Sequence, residues 1–319
     1  MSNNRTLEID DEVRAQVASA DLDSKEMEYC VISPQIELRE IVASNPKLTA
    51  QFTNWMSTDV VPSVRAAIAR NPNLDPSIIL KLSSDPHISV VAAAAQNPIL
   101  SSGKLVELAK HRSYIVRTEV ALNPTTPLVN LETLSKDSEW GVRRAVAVNS
   151  ASSQELLENL ASDSISEVQV AVAGNPKTAM PVLEHLWSSA PDTRGVVIEN
   201  PTCTENFLKS AYQAALLPTD DEDNDSDDDF RGDTNIRGSI AKRADLSNDF
   251  LKILVQDPSH YVRRDLANNL LLTDEFLAVL ALDTNEDVRE SVVNNPNSSP
   301  ESKATATLLG LPEREDSDE

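Results

Sequence analysis

The sequence predicts an all-α fold, a helical-repeat solenoid of about eleven 26-residue units. Three observations point to it. Asn45, Asn71, Asn97, Asn123, Asn149 and Asn175 stand 26 residues apart, Asn200 follows after 25, and the phase resumes at Arg243, Asn269 and Asn295, again 26 apart. A fixed period of this length marks stacked supersecondary units. Most of these Asn residues precede Pro and follow aliphatic side chains at helical spacing. Aromatics make up 4% of the chain and glycines number 7, while Ala, Val and Leu carry most of the apolar content. That composition suits short, closely packed helices rather than sheets.

Within a unit the first helix comes first, and residues 59–84 serve as the type. Asp59 is expected to cap a helix of about eleven residues, since Asp is a favoured N-cap and the Pro of Asp85-Pro86 and Asp257-Pro258 suits the first helical position. Pro72 ends the helix at Asn71, because a residue before Pro avoids the α region and Pro lacks an amide donor. Counted back from the Asn, positions −7 and −3 are aliphatic, as in Val64/Ile68, Val116/Val120, Val142/Val146 and Val288/Val292. Residues four apart share a helix face. Position −2 is Ala in most units, for example Ala69, Ala95, Ala121 and Ala147, which lets neighbouring helices approach closely.

The second segment opens four residues after the Asn at a hydroxyl or carboxylate: Thr49, Asp75, Ser101, Ser153, Thr204, Ser247, Thr273 and Ser299. These read as N-caps. Its apolar pairs, such as Ile79/Leu82, Leu105/Leu108, Leu131/Leu134 and Leu157/Leu160, are three apart, a spacing compatible with α or 3-10 geometry. Helices this short are marginal alone, so stacking must supply the burial.

Residues 1–37 read as a degenerate N-terminal capping unit with Val13-Arg14 as its vestigial start, and 38–310 as the solenoid. The 43 residues from Asn200 to Arg243 are one period plus 17 extra, so 219–235 is expected to be a disordered acidic insertion, and 311–319 a disordered acidic tail. The formal charge is −23; residues 220–233 contribute −8 and 312–319 contribute −4, leaving −11 on the remainder. This charge argues against nucleic acid and anionic membranes as partners. Cys30 and Cys203 are far apart in different units, which indicates neither a disulfide framework nor a thiolate metal site. With no apolar run near the ~18 residues that span a bilayer, a cytoplasmic location is expected.

The run Val64-Arg65-Ala66-Ala67-Ile68-Ala69-Arg70-Asn71-Pro72, followed by Ile79, Leu82 and Asp85, resembles the bacterial leucine-rich repeat variant family, whose unit reads V-R-x-x-V-A-x-N-P…L-x-x-L…D. The resemblance covers most of 38–310. It implies a right-handed superhelix pairing an α-helix with a 3-10 helix. The family's unit is two residues shorter than this one. Some relatives carry a cysteine cluster for an iron–sulfur centre; this chain has no such cluster, so no cofactor is carried over. An Asp followed six residues later by Arg also resembles HEAT repeats.

Position −6 forms an arginine column: Arg39, Arg65, Arg117, Arg143, Arg194, Arg237, Arg263 and Arg289, broken by Val91 and Gln169. One reading pairs each Arg with the Asp at −12 (Asp59, Asp137, Asp257, Asp283) in an inter-repeat ladder. The other makes the column a stripe for an acidic partner. At −9, Tyr114 and Trp140 stand three residues before Arg117 and Arg143, an aromatic and Arg pairing typical of interface hot spots. Ile88 at the same phase suggests packing instead, and both readings stand. The Asn column reads as structural, hydrogen-bonding backbone where the helix ends.

The stretch 220–229 lacks the Gly and the twelfth-position acid of an EF-hand, so a calcium site is not expected. The histidines recur with no nucleophile or paired carboxylates, and no Gly-rich phosphate loop occurs. The expected function is a non-enzymatic scaffold, without cofactor or metal, binding another protein along an extended surface. The competing readings are a HEAT-like nucleic-acid-binding protein and an acidic nucleic-acid mimic that engages a basic protein through 220–233.

Overall fold

The computed structural model describes residues 24–217 and 233–311. Among them the chain is helical without strands, and it divides into two compact units, Met1–Lys177 and Thr178–Glu319, where the sequence reading expects one array over 38–310.

The first unit holds α1 (Ser24–Val31), α2 (Ile36–Ala43), α3 (Ala50–Met56), α4 (Pro62–Arg70), α5 (Pro76–Leu82), α6 (Ile88–Gln96), α7 (Ser102–Leu108), α8 (Tyr114–Leu122), α9 (Leu128–Leu134), α10 (Trp140–Val148), α11 (Gln154–Leu160) and α12 (Ser166–Gly174). The even-numbered helices form a first layer and pack on one another in succession. The odd-numbered helices form a second layer. The core lies between the layers: Val64, Ile68, Val116, Val120, Val142 and Val146 face Ile79, Leu105, Leu131 and Leu157, all buried.

The second unit holds α13 (Met180–Ser189), a 3-10 turn (Pro191–Thr193), α14 (Arg194–Glu199), α15 (Glu205–Ala215), α16 (Thr234–Ala241), α17 (Asn248–Leu254), α18 (His260–Ala267), α19 (Asp274–Leu280), α20 (Glu286–Asn294) and α21 (Pro300–Leu308). Its 25-residue spacing at Asn200 is taken up by α13, ten residues long, and by a first-layer helix shortened to six. The second segment is α-helical throughout, where the resemblance implies 3-10 geometry; Pro191–Thr193 is the 3-10 turn among the described residues.

The caps of the second segment fall where the sequence reading puts them, and Asp75, Ser153, Thr204, Ser247 and Ser299 accept backbone amides through their side chains. The first helix differs from expectation. It starts at −9, not just after the Asp, and runs nine residues in α4, α6, α8, α10, α12 and α20. Two residues separate Asp59 from the first helical residue, so its carboxylate forms an Asx turn with the Val61 amide (2.8 Å), and Asp85, Asp137 and Asp163 do the same with His87, Glu139 and Ile165. Pro86 therefore sits in the turn, whereas Pro62 takes the first helical position.

The vestigial Val13-Arg14 start, the tail from 312 and residues 219–232 of the acidic insertion lie outside the described residues. Residues 233–235 are not insertion: Asp233 accepts the Ile236 amide as N-cap of α16, which begins at Thr234.

Candidate protein-binding edge

Two ladders hold neighbouring repeats in register, and together they decide which sequence-predicted residues are open to a partner. In the first, each Asn amide reaches back one repeat. Asn97 Nδ2 donates to the Ala69 and Asn71 carbonyls at 2.8 and 2.9 Å, while its Oδ1 accepts the Ile99 amide at 3.0 Å. Asn71, Asn123, Asn149 and Asn295 repeat the pattern. The Ala at −2 thus has two duties: it permits close approach, and it offers its carbonyl to the next repeat. Where Arg243 replaces Asn, its Nη1 donates to the corresponding Ile198 and Asn200 carbonyls, and Asp245 holds the rest of the guanidinium.

The second ladder is the arginine column. Arg65 donates Nε and Nη2 to Asp85, 20 residues on, at 2.7 and 2.9 Å, and Nη1 to the carbonyl of Asp59 in its own repeat at 2.7 Å. Arg39–Asp59, Arg117–Asp137, Arg143–Asp163 and Arg263–Asp283 repeat this fork, with both side chains largely buried. Arg237 and Asp257 are fully buried, and Tyr212 donates its hydroxyl to the same carboxylate at 2.8 Å. Arg289, which has Leu309 rather than Asp 20 residues on, donates to the Gly310 and Leu309 carbonyls. Arg194 lies 5.5 Å over the Trp187 ring.

The gap at Val91 is matched by a gap in the acids, since His111 replaces the Asp that would have paired there. His111 keeps the turn by accepting the Ser113 amide on Nδ1 at 3.0 Å, and its carbonyl still receives Arg117. Burial pushes the Asp85 and Asp137 carboxyls up, but their Arg hydrogen bonds, the turn amides and the guanidinium charges outweigh it and hold both below the ordinary carboxylate range. For Asp163 the Arg143 hydrogen bond is the leading cause of the same lowering.

Arg39, Arg65, Arg117, Arg143 and Arg263 are therefore staples with their forks occupied rather than members of an open basic stripe. What stays open is the −9 column. Position −9 is the first residue of each first-layer helix, so its side chain lies where the helices begin, along one edge of the first unit. Ile36, Ile88, Tyr114 and Trp140 are 46%, 38%, 53% and 45% exposed, and Pro62, at the same phase, is half-buried. Val60 and Ile115 add exposed apolar surface beside it. Five successive repeats thus present one apolar or aromatic side chain each. The sequence reading brings Tyr114 and Trp140 to this edge but misses Ile36 and Pro62, which counting nine back from Asn45 and Asn71 would have found.

Cys30 and Cys203 are free and buried, and burial pushes the Cys203 thiol up to about 11, which leaves it unreactive. Among the described residues no cluster of His, Cys, Asp or Glu is placed to hold a metal ion, and no helix is long and apolar enough to cross a membrane.

No family model and no curated protein matches the chain. Among solved structures, the chain is similar to a protein described as a leucine-rich repeat variant with a novel repetitive structural motif: 21% identity, covering 79% of this chain and 88% of that one, with a TM-score of 0.39. The helical-repeat class rests on the chain's own period and ladders.

Proposed function

We propose that the protein is a non-enzymatic, cytoplasmic helical-repeat scaffold that binds another protein along the −9 edge of its first unit. The observation that carries the reading is the run of half-exposed apolar side chains from Ile36 to Trp140. They stand on helix starts that two ladders hold rigid, and rigid exposed aromatics bind at low entropic cost. The pairing of Arg39, Arg65, Arg117, Arg143, Arg237 and Arg263 with carboxylates supports this reading over nucleic-acid binding, because their charge is already neutralised. The reading through 220–233 concerns a segment almost wholly outside the described residues.

The test uses Tyr114→Ala/Trp140→Ala in the full chain, checked for unchanged helicity. A partner captured by the wild type should bind the variant at least about 2 kcal/mol more weakly, as expected for interface hot spots. Equal affinity would refute the edge. So would a fall in stability of about 3–5 kcal/mol, the signature of a core aromatic.

A further inference from the structure

We infer that the segment this edge receives is acidic, extended in a polyproline-II-like conformation, and apolar at every third residue. The inference rests on the edge being the binding surface, and it adds the chemistry of the partner.

In the loops 110–114 and 136–140, Asp137 is held by Arg117 at 2.6 Å. Lys110, Arg112 and Lys136 are exposed, and no ion pair engages them among the described residues. Glu139 lies close enough to Arg117 to interact with it electrostatically, and Lys136 lines a cleft together with Glu132, Glu155 and Asp163, whereas Lys110 and Arg112 share the 110–114 loop with no carboxylate. Tyr114 therefore follows a loop of net positive charge on a chain of net charge −23. At physiological salt the Debye length is about 8 Å, so a docked segment feels these cations while the distant acids are screened. Arg112 adds a planar fork suited to carboxylate.

Stacked helices lie about 8–10 Å apart, so the −9 side chains recur at about that interval. A polyproline-II chain has three residues per turn and rises about 3.1 Å per residue, so every third side chain faces the same way about 9 Å further on. A pattern of one apolar residue and two acids then places an apolar side chain at each repeat and carboxylates over Lys110 and Arg112. A helical segment would instead need its apolar residues seven apart, at a rise of about 1.5 Å per residue.

The experiment measures anisotropy of labelled synthetic peptides against the full chain. One peptide carries Leu at every third position with Asp and Glu between; a second keeps the Leu spacing with Lys between; a third carries the acids with Leu at every seventh position. The first should bind at least tenfold tighter than either control. Lys110→Glu/Arg112→Glu removes side chains that make no hydrogen bond among the described residues, so folding should survive, and it should reverse the preference for acid over Lys by tenfold or more. Tyr114→Ala/Trp140→Ala should weaken the first peptide tenfold. Equal binding of the acidic and basic peptides, a preference untouched by charge reversal, or tighter binding of the seventh-position peptide would overturn the inference. If a captured partner still depends on Tyr114 and Trp140 while the peptides do not discriminate, the edge stands and only the partner's chemistry falls. If the acidic peptide binds regardless of both aromatics, the edge itself is refuted.

Discussion

Replacing Asp137 by Ala removes one rung of the arginine ladder, and its cost follows from the bonds it makes. The carboxylate accepts Arg117 Nε and Nη2 at 2.6 and 2.8 Å and the Glu139 amide at 3.0 Å. Deleting one partner of a buried pair costs about 3–5 kcal/mol when the other charge is stranded. Arg117 is not wholly stranded, because the His111 and Arg112 carbonyls still accept its Nη1 at 2.9 and 3.3 Å. The expected loss is therefore about 2–3 kcal/mol at pH 7. Because repeat arrays are stabilised by nearest-neighbour interfaces, the unfolding transition should also broaden. The Asp137 carboxyl is held below its ordinary value, so its contribution is present above the unfolded pKa of about 3.9 and disappears as pH falls through the folded one. The difference between wild type and variant should accordingly be full at pH 7 and shrink at pH 3. Arg117→Val with Asp137→His copies the pairing found at Val91 and His111, and should recover at least about 1 kcal/mol relative to the summed single changes. Urea unfolding followed by far-UV circular dichroism reads all of these. A loss under about 0.5 kcal/mol at pH 7, a loss that persists undiminished at pH 3, or additivity in the double variant would refute the account of the ladder.

Three further outcomes are expected. Asn149→Ala deprives the Ala121 and Asn123 carbonyls and the Ala151 amide of their partner, and should cost about 2–4 kcal/mol in urea unfolding; Asn149→Asp should be no better at pH 7, because a carboxylate would face two carbonyl oxygens. Glu119 lies at −4, where α6 and α10 carry Ala93 and Ala145; its Oε2 is buried with no hydrogen-bond partner, and burial, only partly offset by Arg70, pushes its carboxyl up. Glu119→Ala should therefore raise stability by about 1 kcal/mol at pH 7. A carboxyl raised by folding costs stability as pH climbs through its titration range, so that gain should vanish in acid. Hydrogen bonds from Lys209 and Ser247 bring Glu205 down to about 2; carboxyl-detected NMR titration should find it there, and Lys209→Met should return it toward about 4.3.

Much of this fold was legible in the chain because a repeat states its local rules many times over. The aliphatic pairs at −7 and −3, the Asn-Pro stops and the hydroxyl caps are short-range features, and all of them emerged in place. Local propensity also misled: Asp before Pro resembles an N-cap, yet Asp85 lies too far from α6 to cap it and turns the chain instead. The sequence offered an inter-repeat Arg–Asp ladder as one of two readings; that Arg65 reaches forward to Asp85 while holding the Asp59 carbonyl of its own repeat came from the structure. The sequence could not show that each Asn amide serves the repeat behind it. Those pairings depend on the distance and direction between stacked helices, which no single unit encodes. The same stacking decided the candidate site: it consumed the arginines that looked available, and it left Tyr114 and Trp140 open on an edge where the sequence allowed either packing or exposure.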